Sequence, residues 1–209
     1  HSMTRQRSNG QHATDTSPPP LTQVATPSAI IDLQRLQRNT DLMAKRAHTL
    51  GVHLRPHVKT HKCVEAAHYQ VADHFGGITV STLAEAEHFA AAGFQDITYA
   101  VPMAPGRATR AAQLAKRIEA LHVLVDHPVA IEALNQRAKD AQVELSVLIK
   151  IDCGYHRAGV APDDPRLVSM ALQTDHASHL RFTGVLTHAG HSYNCRGVDE
   201  IRAIAEVER

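Results

Sequence analysis

An α/β fold on a parallel sheet is predicted by two features of the sequence. Short apolar runs alternate with Ala-rich segments of helical spacing, and the connections between them are only a few residues long. The runs Leu121-His-Val-Leu-Val125 and Val147-Leu-Ile149 also read as nearly unbroken apolar stretches, as expected of parallel strands covered on both faces.

The first segment stands apart from this pattern. His1-Ser2-Met3 reads as the scar of a purification tag. Residues 4 to about 26 are polar, with three successive prolines, and are expected to be a disordered or loosely attached leader. Residues 27–209 are then the folded part. Ile30 and Ile31 read as a short strand ending at Asp32, and Leu33 to Leu50 carries a helical spacing that stops at Gly51. Strands are expected near His53–His57, Ile78–Val80, Ile97–Val101, Leu121–Val125, Leu145–Ile151 and Phe182–Thr187. Helices are expected at Cys63–Ala72, Leu83–Ala92, Arg107–Ile118, Pro128–Ala141, Pro165–Thr174 and Val198–Glu208.

Six strand–helix units therefore run to Arg209. A parallel (β/α) barrel of the TIM type has about eight units over about 250 residues. A doubly wound open sheet closes with about six strands. The usual nucleotide signatures of the open sheet, GxGxxG and GxxxxGK[ST], are missing. On pattern alone the two architectures are evenly matched, and a barrel would be incomplete here.

Composition narrows the function classes. The 22 Lys and Arg nearly cancel the 21 Asp and Glu, and the basic residues form no aromatic-interleaved stripe, so nucleic acid is not expected as a partner. The apolar runs fall far short of the roughly 20 residues of a membrane span. The three cysteines, Cys63, Cys153 and Cys195, are far apart and form no CxxC, which points to free thiols and a cytoplasmic protein. Sixteen histidines against four Phe, four Tyr and no Trp point to site chemistry of some kind.

Three strand ends hold the candidate residues. In Arg55-Pro-His-Val-Lys-Thr-His-Lys62, His53, His57 and His61 are four apart, but Pro56 argues against a helical metal face. In an extended strand, His57, Lys59 and His61 share one side, so Lys59 would point into the barrel mouth between imidazoles. Partly desolvated near other cations, it would have a lowered pKa and form Schiff bases. The bland alternative is a solvated basic loop. In Leu148-Ile-Lys-Ile-Asp-Cys-Gly-Tyr-His-Arg-Ala-Gly159, Asp152 either caps the loop or joins His156 and Arg157 in a site. Arg157 is correspondingly a surface cation or the donor to a phenolate or carboxylate. In Leu186-Thr-His-Ala-Gly-His-Ser-Tyr193, His188 and Tyr193 suit a ring ligand and Gly190 allows close backbone approach, whereas a structural role is favoured for His191. Two His without a third ligand are weak evidence for metal.

Taken together, RPHVKTHK, IDCGYHRAG and THAGHSY, with the Thr26-Pro27 to Asp32 segment and Glu85 in STLAEAEHFAAAG, resemble the D-serine dehydratase and D-threonine aldolase family. Those are fold-type III pyridoxal-phosphate enzymes related to the N-terminal barrel of alanine racemase. The resemblance implies a TIM-type barrel here lacking its last strands and the following β-domain. It implies Lys59 as Schiff-base lysine and catalytic base, with His57 beside it in the cofactor site. It also implies Arg157 on the cofactor phenolate, and His188 and Tyr193 along the ring and substrate pocket. A divalent metal, zinc or manganese, is implied as well, with ligands that would lie beyond Arg209. The implied activity is that of a lyase acting on D-serine or a similar D-β-hydroxy amino acid to give a keto acid and ammonia, because THAGHSY looks more like the dehydratase branch. A D-threonine aldolase giving glycine and an aldehyde is the runner-up. A non-catalytic pyridoxal-phosphate-binding barrel is the alternative of another class. The resemblance further implies a homodimer when the protein is full length.

Overall fold

The computed structural model describes residues 20–209. The tag scar and the leader up to residue 19 lie outside the described residues. Two compact units are delimited, the first ending at Leu33 and the second spanning Gln34–Arg209. Within the first unit, Leu21–Gln23 forms a 3-10 turn. The strand expected at Ile30 and Ile31 is not formed: both residues are exposed and outside regular structure. Two β-branched residues favour an extended chain, but a strand needs a pairing partner to satisfy its backbone.

The second unit alternates as the periodicity predicts. Helix α1 (Leu33–Leu50) stops where Gly51 takes a positive φ, the conformation glycine adopts most readily. Then follow α2 (Val64–Val71), β1 (Ile78–Val80), α3 (Leu83–Ala91), β2 (Asp96–Pro102) and α4 (Ala108–Ala115). The series continues with β3 (Ala120–Val125), α5 (Pro128–Ala141), β4 (Leu145–Lys150), α6 (Arg166–Asp175), β5 (Leu180–Leu186) and α7 (Val198–Glu208). Local chemistry sets the boundaries of α5. Pro128 occupies its first position behind the His127 cap, and Gln142 closes it in the left-handed region.

The strand expected at His53–His57 is reduced to one parallel bridge between His57 and Thr79. Five strands remain, all parallel, in the order β1-β2-β3-β4-β5. That order resolves the even choice left by the sequence. Right-handed crossovers that always step the same way put every helix on one face, as in a barrel wall. A doubly wound sheet reverses direction and covers both faces. The fold is an α/β barrel sector.

Each strand contributes to two faces. Val80, Tyr99, Val123 and Val147 lie in one register row, fully buried in the core under the helices. Burying side chains of this size stabilises by roughly 1.5–3 kcal/mol each. The neighbouring row is polar: Thr79, Thr98, His122, Ser146 and Arg181 follow one another across the sheet, and His57 heads it through its bridge to Thr79. The pleat therefore sends one polar residue per strand to the face the helices leave open. Lys150, an even number of residues after Ser146, belongs to that face at the end of β4.

Candidate active site

The site lies at the C-terminal ends of β1, β4 and β5 and at the turn following His57. The Lys59 region departs from expectation. Val58–Thr60 is a 3-10 turn, not a strand, so the period-2 argument that placed His57, Lys59 and His61 on one side does not apply. The turn forms because the His57 side chain accepts the Lys59 backbone N–H through Nδ1 at 3.4 Å, a local side-chain cap that competes with the sheet ladder. Lys59 is exposed rather than partly desolvated. His61 faces away from this role: its Nδ1 accepts the Cys63 N–H at 3.0 Å, and its Nε2 donates to Gln70 at 3.0 Å.

His57 is neutral at ordinary pH. Burial, and next the positive charge of Lys59, lower its pKa to about 4. With Nδ1 accepting, the proton sits on Nε2 and is donated to the Ser81 hydroxyl at 3.3 Å. His188 is also lowered, first by burial and then by Arg157, Lys150 and Lys59. Three cations from three chain segments thus act on one imidazole.

The loop after β4 is closed by backbone bonds from Asp152 to Val160 at 2.9 Å and from Val160 to Lys150 at 2.9 Å. Asp152 organises it: one carboxylate oxygen accepts the N–H groups of Gly154 and His156, and the other meets the His156 ring at 2.9 Å. Of the two readings of Asp152, the loop cap is the one the geometry supports. Gly159 is required, with φ near 112° and room for no side chain: a Cβ would stand 2.8 Å from the Asp152 backbone nitrogen. Closed in this way, the loop presents Tyr155 and Arg157. Arg157 lies over the Tyr155 ring at 5.4 Å, and both line one cleft with Lys150, Asp152 and His188.

The segment after β5 supplies the opposite wall. His188 meets Tyr155 at 5.8 Å and Tyr193 at 5.9 Å, both edge to face, while His191 stacks on Tyr155 at 6.3 Å. Two buried ring nitrogens here, His188 Nε2 and His191 Nδ1, have no hydrogen-bond partner. A buried polar atom left unpaired is costly, so a hydrogen-bonding partner at either nitrogen would be stabilising.

Of the residues singled out from sequence, Arg157, His188 and Tyr193 come together in one aromatic cluster. His57 and Lys59 face it electrostatically across the mouth. Three participants were missed. Lys150 is the buried lysine, 5% exposed, and burial lowers its pKa. Its position in the apolar run Leu145–Ile151 was a usable signal. Tyr155 carries no local signal, because it is recruited by packing against Gly190, and His191, expected to be structural, stacks on Tyr155. Among the described residues no cluster of three or more His, Cys, Asp or Glu is placed to hold a metal.

The alanine racemase N-terminal domain family matches residues 31–207. The chain belongs to that family. It is 47% identical over 184 residues to D-threo-3-hydroxyaspartate dehydratase of Delftia sp. (strain HT23), covering 88% of this chain and 48% of the relative. It is 36% identical to D-serine dehydratase of Dictyostelium discoideum, over 86% of this chain and 48% of that protein. A solved D-threonine aldolase from Filomicrobium marinum superposes with a TM-score of 0.83 at 34% identity, covering 90% of this chain and 50% of its own. Alanine racemase of Clostridium difficile 630 shares the fold, with a TM-score of 0.69 at 16% identity. The chain spans about half the length of the curated relatives it matches.

Proposed function

We propose that this chain carries the pyridoxal-phosphate site of a lyase acting on D-β-hydroxy amino acids, with D-serine or D-threo-3-hydroxyaspartate as substrate class. The observation carrying this reading is the wall at His188 and His191. Two buried imidazole nitrogens lack partners there, beside an aromatic cluster and within the field of Lys59, Lys150 and Arg157. A planar, anionic, hydrogen-bonding ring has the chemistry that would pair with such a wall.

In that reading Lys59 would hold the cofactor through its amine, and its free amine would take up the substrate Cα proton. Arg157 would donate to the phenolate oxygen, while His188 and Tyr193 would border the ring and the substrate. His57, uncharged above about pH 4, orients the turn without competing for the proton. The cofactor, when bound, supplies the electron sink that makes a Cα carbanion accessible. A divalent metal, zinc or manganese, would stabilise the departing β-oxygen and would be held by residues other than those described. The same reading takes the enzyme as a homodimer and, in line with three free cysteines, as cytoplasmic.

Dehydration is preferred over aldol cleavage because the Delftia dehydratase is 47% identical and the Arthrobacter D-threonine aldolase 34%. Products separate the two: keto acid and ammonia from dehydration, glycine and an aldehyde from cleavage. Cofactor added to the chain should give a borohydride-reducible adduct at Lys59 that is lost in Lys59→Ala. An adduct of equal yield in that variant would overturn the assignment.

A further inference from the structure

The turn that presents Lys59 is held from behind by a buried carboxylate. Glu85, 8% exposed, is the third residue of α3, and its N–H is capped by the Thr82 hydroxyl at 3.0 Å. An ordinary capping box would send this carboxylate back to the N–H of the cap residue itself. Here it goes one residue further, to the Ser81 N–H at 2.8 Å, and its other oxygen pairs with the Lys62 ammonium at 3.3 Å. Both partners belong to the Lys59 surroundings. Ser81 accepts the Nε2 proton of His57, and His57 Nδ1 accepts the Lys59 N–H. Lys62 ends the turn with φ near 51°, a strained conformation for a residue with a side chain. Burial acts to raise the Glu85 carboxyl, but the Ser81 N–H and the Lys62 ammonium outweigh it and hold the group ionised.

We propose that Glu85 is a positioning residue for Lys59. It clamps Ser81 on one side and Lys62 on the other, so that the turn closes and His57 keeps its proton on Nε2. Helix capping alone requires neither the contact to Lys62 nor a buried carboxylate. The inference rests on Lys59 being the cofactor lysine, so the test separates the two.

The chain is treated with pyridoxal phosphate and cyanoborohydride, and peptide mapping compares adduct at Lys59 with adduct at Lys139, an exposed lysine on α5. The wild-type ratio should be well above one. Glu85→Gln, which keeps an acceptor for the Ser81 N–H but loses the charge on Lys62, should lower it roughly fivefold, the scale of one largely exposed ion pair. Glu85→Ala should lower it further, and Glu87→Gln, at a carboxylate paired with Arg110 instead of Lys62, should leave it unchanged. Nitrogen-15 NMR of the His57 ring should show the Nε2–H tautomer in wild type and a mixture in Glu85→Ala. If Glu85→Ala does not fold, Glu85→Gln decides, with its fold checked by near-ultraviolet circular dichroism. An unchanged ratio and unchanged ring shifts in folded Glu85→Gln, against a high wild-type ratio, overturn the positioning role alone. A wild-type ratio near one removes the reading of Lys59 and this inference with it. A fall in Glu87→Gln equal to that in Glu85→Gln also overturns it, because surface charge would then account for the effect.

Discussion

The Tyr155 ring rests directly on the α-carbon of Gly190: a Cβ added there would stand 2.4 Å from the ring and 2.8 Å from His188 Nε2. Two loops from neighbouring strands touch at this point, one carrying Arg157 and the other His188. Because the contact falls on Tyr155 and His188 together, the glycine sets the width of the cleft.

Gly190→Ala should therefore push the two walls apart. Overpacking of this kind destabilises by about 1–3 kcal/mol. A lowered melting temperature accompanied by a larger loss of pyridoxal-phosphate binding, followed by cofactor fluorescence, is the expected result. A variant of unchanged stability and affinity would mean that the loops accommodate a methyl group freely.

His57 makes stability depend on pH in a defined window. Its folded pKa of about 4 lies below the ordinary histidine value of 6.5, so between these values the unfolded chain binds more protons than the folded one. Stability then rises with pH through the window and is lost as pH falls from 6.5 toward 4. Half-burial and solvent screening reduce the effect to about 1–3 kcal/mol. Urea unfolding at pH 7 and pH 5 should show a smaller difference in His57→Gln than in wild type. Equal differences would assign the slope to other groups.

At the opposite end of the strands, Arg55 grips Asp96 through two bonds of 2.7 and 3.0 Å, and His122 adds a third at 3.1 Å. Burial opposes ionisation of Asp96, but His122 and Arg55 outweigh it and hold the carboxyl well below its usual range. Asp96→Asn would leave Arg55 and His122 facing a neutral amide. Fully buried pairs lose about 3–5 kcal/mol when broken. These groups are about a quarter exposed, so about 1–3 kcal/mol is expected, read from the unfolding midpoint. A midpoint within error of wild type would show the cluster to be a surface feature.

What the sequence by itself determined is the alternation. Helices α5 and α7 span the segments their periodicity marks, because amphipathic spacing, Pro128 and the residues around each cap act over a few positions of chain. The three motifs at strand ends were legible for the same reason. Tertiary structure alone decided the rest. Strand order settled barrel against open sheet, since a pairing choice leaves no local trace. His57 and Lys59 lie on a turn instead of a strand because a side chain caps the backbone there. Lys150 is buried at the end of an apolar strand, whereas Lys59 is exposed on a turn among basic and polar neighbours. Burial is a property of what packs against a residue, and for Lys150, Tyr155 and His191 that packing comes from segments distant in the chain.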